Sequence, residues 1–122
     1  MSEQTVFNFL NPDGGIPRQL TDGMSTNIFV GDNVMISLVR CEPHAKGSLH
    51  SHAEEQWGIM LEGSGKRIQG DGTFVVKKGD FWKTPGGTEH TFEAGEEGAF
   101  VIDIFSPPRD DYRTAGAGFG KK

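Results

Sequence analysis

No long apolar stripe with the 3.6-residue period of an amphipathic helix runs anywhere along the chain. Apolar residues fall instead into short runs rich in Val, Ile, Phe and Trp, separated by turn signals such as GDN, GSG, GDG, KKGD and PGG and punctuated by 18 glycines. The pattern predicts strands over residues 5–10, 26–31, 34–42, 55–63, 65–69, 73–78, 79–85, 88–94 and 98–106. Short strands at this spacing predict an all-β fold, a sandwich or barrel.

The length of 122 residues suits one domain spanning 1–122. NPDGG near the start reads as a turn, and TAGAGFGKK (114–122), small and glycine-rich, reads as a mobile tail. Charge narrows the partners: 12 Lys and Arg stand against 17 Asp and Glu, a net charge of −5, with no basic run longer than Lys121-Lys122. That balance argues against a nucleic-acid or anionic-membrane surface and favours a small-molecule substrate. No signal-peptide pattern or apolar window long enough to span a bilayer is present, so the expected location is the cytoplasm. Cys41 is the lone cysteine; it has no partner for an intrachain disulfide and falls at a strand end as a core or near-surface thiol.

Candidate chemistry centres on HSHAEEQWGIMLEG (50–63). His50 and His52 project to one face of an extended segment, and Gln56 has the same parity if that register holds through AEE. His90, after a Pro-Gly-Gly turn, lies on a strand that can face them across a barrel. Glu54 shares the parity of Gln56 and competes as a ligand if the strand bulges there. These residues resemble the two metal-site motifs of the cupins. The first motif is carried by His50, His52, Gln56 and Gly63, with Gln in place of the usual Glu. The second is carried by Gly79, Pro85, Gly87 and His90, with Ala94 where the family has Asn and His44 where a first-motif glycine is expected. The resemblance implies a jelly-roll barrel, the double-stranded β-helix, that binds one divalent metal ion (Ni, Zn, Fe or Mn) through His50, His52, Gln56 and His90.

Four neutral donors leave a divalent ion its full charge, which favours Lewis-acid chemistry and gives no help to a trivalent state. In GAFVIDIFSPPRDDY (98–112), Val101, Asp103 and Phe105 share one strand face, and a carboxylate in so apolar a strand needs a polar cavity or a partner. One reading pairs Asp103 with Arg109 as a structural salt bridge. The other places Asp103 for proton transfer and Arg109 for a substrate carboxylate.

A HxH, Gln and His site followed by Asp-x-Phe-x-x-x-Arg resembles the uronate-linearising cupins of pectin and alginate breakdown, the KdgF type. That resemblance implies a catalytic pocket of Asp103, Phe105 and Arg109, and opening or ketonisation of a 4,5-unsaturated monouronate. The alternatives are an Fe-dependent dioxygenase acting on a small organic substrate, or a non-enzymatic sugar-binding domain. Of Trp57, Met60 and Trp82, at least two are expected in ordinary core packing, with Met60 nearest the metal. Arg67 and Lys66 are expected to be exposed, as is His44. The family resemblance also implies a homodimer, because small cupins pair through barrel edges.

Overall fold

The computed structural model describes residues 4–120. Among them the chain forms β1 (Ile16–Thr21), β2 (Met24–Val30), β3 (Met35–Cys41), β4 (Glu55–Gln69), β5 (Gly72–Lys77), β6 (Phe81–Thr84), β7 (His90–Ser106) and β8 (Gly116–Ala117), with a single 3-10 turn at Asp110–Tyr112. The sheet order is β5-β4-β7-β3-β2-β1-β8, with β6 also paired to β4, and the sheet wraps as a jelly roll. All pairings are antiparallel except that of β1 with β8. Alternation places Met24, Thr26 and Ile28 of β2 inside, together with Met35, Ser37 and Val39 of β3 and Val101 and Phe105 of β7. With Leu20, Met60, Val76 and Tyr112, the apolar members of this set form the core.

Two pairs of predicted strands are in fact single long strands. The 55–63 and 65–69 segments merge into β4, and 88–94 and 98–106 into β7. Their glycines make facing kinks rather than turns: Gly63 (φ 85°) and Gly98 (φ 75°) meet where the β4–β7 register shifts. A Cβ on Gly63 would lie 2.1 Å from the Gly98 carbonyl oxygen, so the backbones touch where a side chain would hold them apart.

Residues 5–10 do not form the predicted strand. The Asn8 side chain accepts hydrogen bonds from the amides of Leu10 (2.8 Å) and Asn11 (3.3 Å), turning the chain back on itself. The segment lies on the barrel through Phe7 against Phe29 and Phe9 against Phe100. β1, the first strand in the chain, is not among the predicted strands; β8 covers only its Arg18 and Gln19, leaving Pro17 at an edge where no ladder donor is needed.

The segment read as a mobile tail packs against the barrel through residue 120, while Lys121 and Lys122 lie outside the described residues. The Gly118 amide donates to the Gln19 carbonyl at 2.8 Å. Buried Arg18 donates to the carbonyls of Gly118 (2.7 Å), Ala117 (2.8 Å) and Asp111 (3.0 Å). A partner so distant in sequence leaves no trace in local composition. Cys41 is buried, and burial pushes its thiol up to about 12, an inert core group. No helix among the described residues is long and apolar enough to cross a membrane.

Gly63→Ala combines a left-handed backbone with a Cβ against a carbonyl oxygen, and should cost about 2–4 kcal/mol. Gly79→Ala has a similar φ of 95° but nothing within 4 Å of its Cβ, and should cost only about 1 kcal/mol. Thermal melts followed by circular dichroism check the order; equal losses would contradict the close approach at Gly63.

Candidate metal centre

His50 and His90 are direct neighbours rather than partners across the barrel. The His50 amide donates to the His90 carbonyl at 3.1 Å, and the His90 amide donates to the His50 carbonyl at 2.8 Å. The Pro85-Gly86-Gly87 turn docks the HSH segment: the Gly87 amide donates to the His52 carbonyl at 2.8 Å, and a Cβ on Gly86 would sit 2.2 Å from the Ala53 carbonyl oxygen. The extended register does not run through AEE, since β4 begins only at Glu55, yet His52 and Gln56 still converge across that gap.

Each imidazole is oriented by a backbone carbonyl at Nδ1: Ser48 for His50 (2.7 Å), Glu54 for His52 (3.0 Å) and Thr88 for His90 (2.8 Å). A carbonyl only accepts, so all three rings carry their proton on Nδ1 and leave a lone pair on Nε2. The three rings offer ligand atoms within 4.8 Å of one another. His90 Nε2 is buried with no hydrogen-bond partner. His52 Nε2 lies 2.9 Å from Gln56 Oε1, an approach of two lone-pair atoms that suits ligands sharing a cation, about 3 Å apart for bonds of about 2.1 Å at right angles. The donor set therefore fits a metal ion. Burial lowers His50 to about 4 and His90 to about 3, keeping both neutral and able to ligate at pH 7; burial likewise lowers His52.

Gln56, 3% exposed, is also a hydrogen-bond partner of the Asp103 carboxyl. A carboxylate only accepts, so the Gln56 NH2 faces Asp103 and Oε1 faces His52. The Glu54 carboxylate lies 3.6 Å from His52 Nδ1, on the ring edge away from Nε2. Of the two candidates for the fourth ligand, Gln56 alone is aimed at the imidazole lone pairs.

The cavity beside these ligands measures about 40 Å³, and Asp103, Phe105 and Arg109 all line it. Burial raises the Asp103 pKa, opposed first by Arg67, then by Gln56 and Arg109. Among the described residues no ion pair within 4.0 Å joins Asp103 to Arg109. Arg109 is 2% exposed, packs over the Tyr112 ring at 4.0 Å and donates through Nη2 to the Phe119 carbonyl. The Phe119 ring stacks on His50 with centroids 4.8 Å apart and lines the cavity, so the C-terminal segment closes over the site.

Met60 and Trp82 pack in or against the core, and Lys66 and His44 are exposed, as expected, but other placements differ. Met60 is a core residue and does not line the cavity, whereas Trp82 does; Trp57 lies at the surface with its indole N–H donating to Glu55. Arg67 is 4% exposed and lines the cavity, while Lys66 and His44 are exposed. The β4 bulges between Met60 and Gly65 explain Arg67. Inward positions run Gln56, Gly58 and Met60 before them and Gly65 and Arg67 after, because the bulges shift the period-two alternation. No local sequence signal marks that shift.

One divalent ion per chain is expected when purified protein is incubated with metal, dialysed and analysed by elemental mass spectrometry. His90→Ala should bind well below stoichiometry and lose the metal-dependent rise in melting temperature; a full complement of metal in His90→Ala would refute this ligand set.

Residues 37–105, more than half of the chain, match the cupin domain family. The chain is 32% identical over 97 residues to oxalate decarboxylase OxdC of Bacillus subtilis (strain 168), a match covering 75% of this chain but only 24% of that protein's length. It is 29% identical over 96 residues to pectin degradation protein KdgF of Dickeya dadantii (strain 3937), covering 77% of this chain and 87% of KdgF. Among solved structures, an RmlC-like cupin from Shewanella frigidimarina NCIMB 400 superposes with TM-score 0.77 at 22% identity, covering 91% of this chain and 96% of that one, a likeness of fold. KdgF from Halomonas sp. superposes with TM-score 0.73 at 28% identity, covering 78% of this chain and 88% of that one. With its barrel, its three-histidine centre and this family match, the chain belongs to the cupins.

Proposed function

We propose that the protein is a metal-dependent, non-redox cupin enzyme that opens and ketonises a 4,5-unsaturated monouronate or a similar small sugar acid. The observation that carries the proposal is the coupling of a neutral donor set to a carboxylate: Gln56 faces His52 through its oxygen while its amide partners Asp103 in the same cavity. The likeness to KdgF supports the substrate class. A divalent ion held by His50, His52, Gln56 and His90 would supply Lewis-acid stabilisation to a sugar oxygen with its charge undiminished by the ligands.

The chain's own groups account for the protons. Asp103 takes the proton of the anomeric hydroxyl as the ring C–O bond breaks, leaving an aldehyde and an enolate. Return of that proton to the alkene carbon gives the ketone, so atoms and electrons balance without an oxidant. Arg109 supplies a cation for the acid, and Phe105, whose ring meets His52 edge-on at 5.5 Å, forms the apolar wall. A cavity of about 40 Å³ admits water rather than a sugar ring, so Phe119 and its segment swing aside to admit substrate. Exposed Phe74, Val75 and Phe81 on β5 and β6 support a homodimer as part of the same proposal.

Metal-loaded protein should consume an unsaturated uronate, read as loss of its absorbance, equally with and without O₂. Loss of turnover without O₂ would favour an Fe-dependent dioxygenase, and no turnover under either condition would sink the assignment. Asp103→Asn should keep fold and metal yet lose at least about 100-fold in kcat; unfolding or metal loss without a specific catalytic effect would make Asp103 structural. Phe119→Ala should change KM by several-fold while leaving metal stoichiometry intact, and an unchanged KM would remove the gate.

A further inference from the structure

Arg67 is a buried cation whose role none of the foregoing chemistry uses. Its Nε donates to Gln69 Oε1 at 3.2 Å and its Nη2 to Thr84 Oγ1 at 2.9 Å. The Thr84 hydroxyl donates in turn to Gln69 Oε1 at 2.7 Å, and Gln69 Nε2 donates to the Lys83 carbonyl at 2.8 Å. Donors and acceptors match around this ring in one way only, which fixes the guanidinium plane. Every acceptor in it is neutral, so the ring orients the charge without compensating it.

Nε and Nη2 form one edge of the guanidinium fork. Of the remaining three N–H groups, one on Nη1 and the second on Nη2 form the adjacent edge, and among the described residues no acceptor engages any of the three. Asp103 acts on Arg67 electrostatically but makes no ion pair with it within 4.0 Å. Burial pulls Arg67 down to about 10, consistent with a cation short of a counter-charge. Arg109, by contrast, already donates to the Phe119 carbonyl and packs on Tyr112.

We propose that the open edge of Arg67 is a carboxylate-binding subsite that grips the acid group of the ligand, pre-set by Thr84 and Gln69. This rests on the sugar-acid reading of the cavity and sharpens it: Arg67 takes the ligand's carboxylate as a bidentate pair, and Arg109 engages it less directly while tied to the closing segment. The neutral ring matters because it leaves the fork rigid and the charge free, so little ordering remains to be done on binding.

The test compares D-galacturonate with D-galactose, an acid and its neutral counterpart that need no turnover, by calorimetry on the metal-loaded full chain. Wild type should prefer the acid. Arg67→Gln should weaken galacturonate binding by about 10- to 100-fold and erase the preference, with galactose affinity unchanged. Arg109→Gln should reduce the preference by less than Arg67→Gln does. If Arg67→Gln does not fold, Thr84→Val reads the same subsite by releasing the guanidinium plane, and should weaken galacturonate several-fold without affecting galactose. The subsite is overturned if wild type shows no preference for the acid, or if a folded Arg67→Gln, or Thr84→Val in its place, keeps the wild-type affinity. The two proposals fail separately: acid preference through Arg67 with no uronate turnover refutes only the reaction, and uronate turnover with acid binding indifferent to Arg67 refutes only the subsite.

Discussion

Three hydrogen bonds from imidazole Nδ1 to the carbonyls of Ser48, Glu54 and Thr88 govern the centre. They decide which nitrogen carries the proton, so they decide that three lone pairs converge. The barrel serves that requirement. Pairing of His50 with His90 brings two of the rings together, and the Gly86-Gly87 turn lets the HSH segment approach closely enough for the third. A side chain at Gly86 would strike the Ala53 carbonyl and push His52 away from the other two.

Charge is the second organising constraint. The candidate ligands are neutral, and the cavity holds two guanidinium groups, Arg67 and Arg109, against one lining carboxylate, Asp103. An interior with more cation than anion is costly to maintain when empty and favours an anionic guest. The same excess restrains the upward shift that burial imposes on Asp103, with Arg67 the leading cause. Gln56 links the two halves of the cavity: its amide faces Asp103 and its oxygen faces His52. A glutamate there would add negative charge beside Asp103 and remove the amide donor, altering both halves at once.

The C-terminal segment shows how function reaches beyond the motifs. Its glycine-rich composition looks disposable, yet Arg18 binds three carbonyls within or before it, and Phe119 stacks on His50. It is held by a short parallel pairing with β1, by the Arg18 and Arg109 hydrogen bonds to its backbone and by the stack on His50.

Most of the β architecture and the three-histidine cluster were legible because period-two alternation, glycine punctuation and His spacing are local properties. The same logic placed Val101, Asp103 and Phe105 on one face of β7. It failed where the decisive contact is distant in sequence. Facing kinks at Gly63 and Gly98 turned two apparent hairpin breaks into bends, and the accompanying bulges rotated Arg67 from solvent into the cavity. The sequence by itself determined which donors are available and that they are neutral. Only the tertiary structure decided that Gln56 rather than Glu54 faces the imidazoles, that Arg67 is buried and that Phe119 closes the site, because each depends on backbone–backbone approaches between segments that local pattern cannot relate.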